Sequence, residues 1–456
     1  MNSTVFSVKN RPADQRILDF DEISLGYTRE EAVQEAKRCL QCPERPCIKG
    51  CPVNIDIPSF LNALSRGKIM EAYKIIKKYN NLPGICGRVC PQEDQCAKMC
   101  VLGIKEKPVN IGELEKYVAD EAEKNLKVKK TRPDKNKKSV GVVGSGPAGL
   151  TIAGEMASKG YPVKIYEGLH KPGGVLRYGI PDFRLPEKVI DNEIERLKST
   201  GVEFEMNCIV GKTVSMEELF ELHDAVFLGT GAGVPRFLGI PGENLNGVYS
   251  ANEYLARCNL MKSYNFPKYK TPIKIGKRIA VIGGGNVSMD AARMGIRLGA
   301  EKVFVVYRRS EKEMPAREKE IINAKEEGVD FVFLASPVEI IGDKDFNVKQ
   351  IDYLKMKLGE VDESGRKKPI KISDERYSLH VDTVIIAIGT SPNTSHIKDY
   401  ADIEIGKRGI IKVNKDTGQT KMNKVYAAGD VVTGNETVIS AMGGAKRVAR
   451  SIRKVF

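Results

Sequence analysis

Eight of the ten cysteines in this 456-residue chain fall between Cys39 and Cys100, and no other feature narrows its possible folds as much. They form two groups, Cys39-x2-Cys42-x4-Cys47-x3-Cys51-Pro52 and Cys86-x3-Cys90-Pro91-x4-Cys96-x3-Cys100. Paired zinc sites ordinarily show separated C-x2-C knuckles, whereas these thiols are crowded. The four histidines (His170, His223, His380 and His396) all lie outside the segment, which removes mixed Cys/His sites. Tight spacing with proline after a cysteine fits ferredoxin-type ligation, in which soft anionic sulfur stabilises iron. On spacing alone, Cys86 is as good a ligand as the rest. The competing reading is a zinc-stabilised scaffold that binds nucleotide without turnover.

Around these cysteines the segments REEAVQEAKRCL, IPSFLNALSRGKIMEAYKIIKKY and NIGELEKYVADEAEKNL carry apolar residues at helical spacing. This predicts a mainly helical module over residues 1–125. A basic stretch, LKVKKTRPDKNKK (126–138), follows and reads as a solvated linker. The net charge of +14 therefore does not imply nucleic-acid binding, although it suits docking of an acidic partner. No run reaches the roughly 18 apolar residues that cross a bilayer. MNSTVFSVKNRPADQR lacks the apolar centre of a secretory signal. A cytoplasmic protein with no membrane contact is expected, and there thiols stay reduced, which favours metal over disulfide.

At Ser139 the texture changes to β-branched runs ending in glycine turns. KSVGVVGSGPAGL followed by YPVKIYEG reads as strand, turn, helix, strand, and KRIAVIGGGNVSMDAARMGIRLG followed by EKVFVVYRR repeats it. In the first copy, Gly144, Ser145, Gly146, Pro147, Ala148 and Gly149 make a dinucleotide-binding turn at a helix amino terminus. Glu167 ends the next strand, where a carboxylate accepts from a ribose hydroxyl. The turns KPGGVLRYGIP (171–181), Gly229-Thr230-Gly231-Ala232 and Ala428-Gly429-Asp430 add glycine-rich backbone of the kind flavins pack against. In the second copy, Gly283, Gly284, Gly285, Asn286 and Val287 repeat the turn, with Ser288 where the third small residue belongs. Arg308 and Arg309 stand where the first copy has an acid, which favours a 2′-phosphate and hence NADP(H).

The late strand KVYAAGD implies that the second nucleotide domain interrupts the first. The expected α/β architecture is a helical iron–sulfur domain followed by two Rossmann-like domains for FAD and NADPH, the second inserted in the first. The expected division is 1–125 helical module, 126–138 linker, 139–260 and 386–456 FAD domain, and 261–385 NADP(H) domain. A flavin disulfide reductase would share these folds but needs a redox cysteine pair. Cys208 and Cys258 are far apart and form no C-x-x-C, so that activity is set aside.

The motifs RCLQCPERPCIKGCP, GICGRVCP, VVGSGPAGL, GGVLRYGIPDFRLP, VIGGGNVSMDAAR, YRRSEKEMPA and VYAAGD occur in one order along nearly the whole chain. In this the chain resembles the small subunit of NADPH-dependent glutamate synthase. It also resembles the large subunit of NADH-dependent ferredoxin:NADP oxidoreductase and the amino-terminal half of dihydropyrimidine dehydrogenase. The resemblance implies two [4Fe–4S] clusters, one held by Cys39, Cys42, Cys47 and Cys100. Cys51, Cys90, Cys96 and a non-cysteine ligand, matching Glu115, would hold the other, leaving Cys86 a bystander. It also implies FAD contacts at Ser145, Gly146, Pro147, Ala148, Glu167, Gly174, Leu176, Val210, Thr230, Gly231, Gly429, Asp430 and Thr437. NADPH contacts would fall on Gly284, Gly285, Asn286, Val287, Arg308 and Arg309.

A hydride donor, a flavin and one-electron clusters belong together, because only the flavin exchanges both one and two electrons. That scheme demands no catalytic acid or base. The expected activity is an oxidoreductase that passes electrons from NADPH to a partner subunit. The first candidate is the large subunit of glutamate synthase, which makes glutamate from glutamine and 2-oxoglutarate. This chain has no room for that amidotransferase, and residue 2 is Asn rather than a nucleophilic cysteine. The alternative partner is a ferredoxin- and NAD-linked small subunit in an electron-bifurcating complex.

Overall fold

The alternation of β-branched runs and glycine turns after Ser139 builds a five-stranded parallel sheet. Its order is Val425–Ala427, Ala225–Leu228, Val140–Val143, Val163–Tyr166, Glu203–Glu205. The central strands are buried throughout, as befits a sheet covered on both faces. In this computed structural model the described residues are 5–126, 130–394, 397, 398, 400 and 402–456, so His396 and residues 127–129 of the basic stretch lie outside them.

A second parallel sheet repeats the pattern in the order Val248–Ser250, Thr383–Ile386, Arg278–Ile282, Lys302–Tyr307, Asp330–Phe333. The chain leaves the first domain through Val234–Pro235 and returns through Thr390–Ser391, and these two pieces pair antiparallel. The second nucleotide domain is thus inserted in the first. Val248–Ser250 lies before the expected boundary at 261 yet pairs in the second sheet. The Ser250 side chain then caps the helix Ala251–Asn259, so strand and helix form one unit that no glycine motif advertises. A three-stranded antiparallel sheet, Ala335–Gly342, Val348–Val361 and Lys367–His380, follows without any glycine motif.

The amino-terminal module is helical, with Arg29–Lys37, Ile57–Ser65, Ile69–Tyr79, Pro83–Val89 and Ile111–Glu123 as its main helices. The expected single segment over 57–79 is two helices, because the chain reverses at Gly67 (φ +71°). Its apolar residues merge into the core of the first nucleotide domain; Ile85 and Val118 belong to one cluster with Met156, Ile439 and Met442. Part of the basic stretch is docked rather than free, since Thr131 N–H donates to Ser199 O and Asp134 N–H to Gly160 O, both at 2.9 Å. No helix among the described residues is long and apolar enough to cross a membrane.

A buried ionic cluster joins the parts. Arg184 of the first domain pairs with Asp290 of the second, Arg293 with Glu320 and Glu327, and Arg16 from the amino-terminal segment with Glu327 at 2.7 Å. Buried pairs of this kind fix geometry more surely than they add stability, but losing one partner is costly.

Candidate functional site

The helical module holds two adjoining cavities. Cys39, Cys42, Cys47 and Cys100 line the first, among Pro46, Ile57, Pro58, Leu61, Val109 and Ile111. Left-handed backbone at Gln41 (φ +51°) and Arg45 (φ +43°) curls the loop that carries these thiols. Leu40, Met99 and Val101 also line it while remaining 58%, 44% and 39% exposed, so this cavity reaches the surface through apolar side chains.

Cys51, Cys90, Cys96 and Glu115 line the second cavity, with Gln92, Gln95, Ile55 and Ile439. Ile57 and Ile111 line both and form the wall between them. Cys86, which spacing alone offers as a ligand, lines neither. It is wholly buried, with its Sγ 3.6 Å from Asn80 Oδ1 and from Met442 Sδ. Asn80 Nδ2 donates to Glu115 Oε1 at 2.6 Å, and Asn80 Oδ1 accepts from Leu82 N–H at 2.8 Å. Burial pushes the Glu115 carboxyl up to about 8 against the opposing effect of Asn80. Burial likewise raises Cys47 and Cys51 to about 11. Cys90 is raised first by its hydrogen bond with Cys86 and then by burial. Metal binding displaces such protons.

Thiols gathered around each space suit an iron–sulfur cluster, since soft anionic sulfur stabilises iron.

The first glycine turn is built around Glu167. Glu167 Oε2 accepts from the Ser145 N–H at 2.9 Å and from the Ser145 hydroxyl, and Oε1 accepts from the Leu169 N–H at 2.9 Å. Ser145 Oγ accepts in turn from Gly173 N–H at 2.9 Å, tying in the loop that holds Gly174 and the fully buried Leu176. The turn folds onto the helix Pro147–Ala157 so tightly that a Cβ on Gly149 would stand 1.9 Å from Gly144 O. At Gly146, by contrast, a Cβ would meet nothing within 4 Å, which leaves an open approach for a pyrophosphate.

Two further features of this pocket fit a flavin. Thr230 Oγ1 is buried with no protein partner, and the space beside Gly231 is open. The Asp430 carboxyl, raised by burial, accepts from the Glu436 N–H. Val210 is buried and bridges to Val214.

The helix Val438–Val455 links this pocket to the second cavity. Its N-cap Thr437 accepts from Ser440 N–H and, at 3.3 Å, from Gln95 Nε2. Ile439 reaches the cavity wall, while Gly429 packs against Ala441 of the same helix.

At the second turn, Asn286 opens the helix Asn286–Arg297 behind Gly283, Gly284 and Gly285. Ser288 is fully buried, small enough for the close packing the missing glycine would have allowed, and Val287 is exposed. The two arginines separate. Arg308 is exposed. Arg309 is buried and turned to the antiparallel hairpin, where it donates to Lys367 O at 2.8 Å and to Asp362 Oδ2 at 2.5 Å. The sequence reading missed Asn80, Gln92, Gln95 and Arg317, which no spacing rule marks. Arg317 does immediately follow the motif YRRSEKEMPA.

Comparison with known proteins finds two family models along the chain. A family model described as dihydropyrimidine dehydrogenase domain II, 4Fe-4S cluster, matches residues 16–127. One described as pyridine nucleotide-disulphide oxidoreductase matches residues 138–445. The glutamate synthase [NADPH] small chain of Azospirillum brasilense is 36% identical over 451 residues, covering 97% of this chain and 92% of that one. The NADP(+)-dependent formate dehydrogenase subunit beta of Moorella thermoacetica is 37% identical over 431 residues, but this chain spans only 59% of its length. FprA from Mycobacterium tuberculosis, solved in complex with NADPH, overlays 71% of this chain and 84% of its own with a TM-score of 0.59 at 22% identity, a likeness of fold.

Proposed function

The chain belongs to the family of glutamate synthase [NADPH] small chains and is an NADPH-dependent FAD and iron–sulfur oxidoreductase; on that premise we propose that it delivers electrons to a glutamate synthase large subunit. Its alignment with 92% of the Azospirillum small chain over 97% of its own length supports that partner.

Cys39, Cys42, Cys47 and Cys100 would hold one [4Fe–4S] cluster. Cys51, Cys90, Cys96 and Glu115 would hold the other, with Cys86 a buried neighbour. When bound, the flavin supplies the exchange between a hydride and the single electrons that clusters carry. The chain's own groups bind and orient. The turn at Gly144–Gly149 and its helix amino terminus take the pyrophosphate, Glu167 keeps a lone pair on Oε1 for a ribose hydroxyl, and Thr230 offers its unpartnered hydroxyl to the ring. Gly283–Val287 receive the nicotinamide nucleotide, and Arg308 faces its 2′-phosphate. No side chain needs to move a proton in this scheme.

The observation that carries this reading is the helix Val438–Val455, which runs so close to the Gly429–Asp430 turn that a Cβ on Gly429 would stand 3.4 Å from Ala441 Cβ, and which lines the second cavity with Ile439. One rigid element thus spans donor and acceptor. At the first cavity the exposed Leu40, Met99 and Val101 form an apolar rim suited to a partner. Mixing the protein with candidate large subunits, glutamine and 2-oxoglutarate tests the partner. NADPH oxidation that requires both substrates is expected. NAD reduction coupled to ferredoxin, with no response to glutamine, would replace this assignment with a bifurcating complex.

A further inference from the structure

Arg317 joins two sites that lie far apart in the chain. Its backbone N–H donates to Asn286 Oδ1 at 3.0 Å, at the helix start behind the second glycine turn. The preceding residue, Ala316, donates its N–H to Gly284 O at 3.1 Å. The guanidinium, in a residue only 8% exposed, points the other way, into the helical module. Nη2 donates to Gln92 Oε1 and Nε to Glu93 Oε1, both at 3.0 Å, and Nη1 to the Arg88 carbonyl at 3.2 Å.

Its acceptors Gln92 and Glu93 sit in the turn between Cys90 and Cys96. Gln92 lines the second cavity, and its carbonyl accepts from Gln95 and Ala97 N–H at 3.1 and 3.0 Å. It also presses on the Glu115 helix so closely that a Cβ on Gly112 would stand 1.9 Å from Gln92 Nε2. A second contact, Lys319 to Glu113 at 2.6 Å, grips the same helix. Packing this close passes a displacement on instead of absorbing it.

We propose that Arg317 is a positioning residue that couples occupancy of the NADP(H) turn to the reduction potential of the cluster beside Glu115. The proposal rests on the cluster reading above. A nucleotide that binds the turn reloads the Asn286 contact, and the rigid arginine carries that change to Gln92 and the cysteine turn. Its positive charge also favours the extra electron of a reduced cluster. Linkage makes the effect reciprocal, so the redox state of that cluster alters nucleotide affinity by the same factor.

The test is a redox titration of anaerobic holoprotein followed by electron paramagnetic resonance, with and without 2′-phospho-ADP-ribose, which has the phosphates but no nicotinamide. In the unaltered protein one cluster signal shifts its potential on saturation and the other does not. Arg317→Lys keeps the charge but cannot span Gln92, Glu93 and Arg88 together, so the nucleotide shift disappears. Arg317→Gln also lowers the resting potential. Should Arg317→Gln fail to assemble, Glu93→Gln removes one arm from the partly exposed side, and a weakened shift is expected. Loaded clusters with an undiminished shift in Arg317→Lys or Glu93→Gln, or with no shift in the unaltered protein, overturn the coupling. Absence of any iron–sulfur signal in the unaltered protein overturns the cluster reading and the coupling together.

Discussion

Asn80 Nδ2 and Glu115 Oε1 meet at 2.6 Å on the wall of the second cysteine cavity, while the same asparagine is pinned by the Leu82 N–H. The carboxylate is therefore aimed by the protein before iron arrives. Outer-shell partners of this kind tune a metal site as well as orient it. Asn80→Ala is expected to move the potential of one cluster and not the other. Loss of the buried hydrogen bond should also lower stability by about 1–3 kcal/mol. Redox titration and thermal unfolding check the two effects; parallel shifts in both clusters would contradict the assignment.

Cys86 and Cys96 stand in the same motif but on different ground. Cys86→Ala should retain the full iron and acid-labile sulfide content, because Cys86 packs against Asn80 and Met442 outside both cavities. Cys96→Ala should lose about half. Analysis of anaerobically purified variants decides, and loss of iron in Cys86→Ala would return it to the ligand set.

The adjacent arginines make a second contrast. Arg308→Ala should cut the preference for NADPH over NADH about 10- to 100-fold, the worth of a charge-assisted contact to the 2′-phosphate. Arg309 is committed to Asp362 and Lys367, so Arg309→Ala should change preference far less and loosen the hairpin instead. Steady-state kcat/KM with both nucleotides measures this; equal losses would show that Arg309 leaves the hairpin to bind phosphate.

Glu327 anchors the buried ionic cluster. Burial alone would raise its carboxyl, but hydrogen bonds and charge from Arg297 and Arg293 outweigh that and hold it at about 2. A carboxyl depressed on folding contributes stability that is complete above its ordinary value of 4.5 and fades as pH falls from there through about 2. Glu327→Ala, which takes the acidic partner from Arg297 and one of two from Arg16 and Arg293, should cost about 3–5 kcal/mol at neutral pH. The Tm gap between Glu327→Gln and the unaltered protein should narrow as pH drops below 4.5, and a gap that widens there would reverse the sign.

The glycine turns were legible because their chemistry is local: Gly149 must be glycine to lie against Gly144 O, and that demand shows at fixed spacing. The ligand grouping was not local. Cys100 lines a cavity with residues near position 40, and Cys86 turns inward from the helix Pro83–Val89. Spacing therefore does not exclude Cys86, whereas the family resemblance implies that it stands aside. Arg309 was read as a free phosphate ligand because the hairpin that engages it carries no motif. Arg317 escaped for the same reason, its acceptors lying more than two hundred positions away.

The most direct measurement is anaerobic addition of NADPH to the purified protein, followed by absorbance and paramagnetic resonance together. Bleaching of the flavin bands with appearance of reduced-cluster signals is expected, and NADH should produce much less of both. A preparation lacking iron and flavin, or flavin that bleaches while the clusters stay oxidised in the presence of a low-potential mediator, would contradict the account.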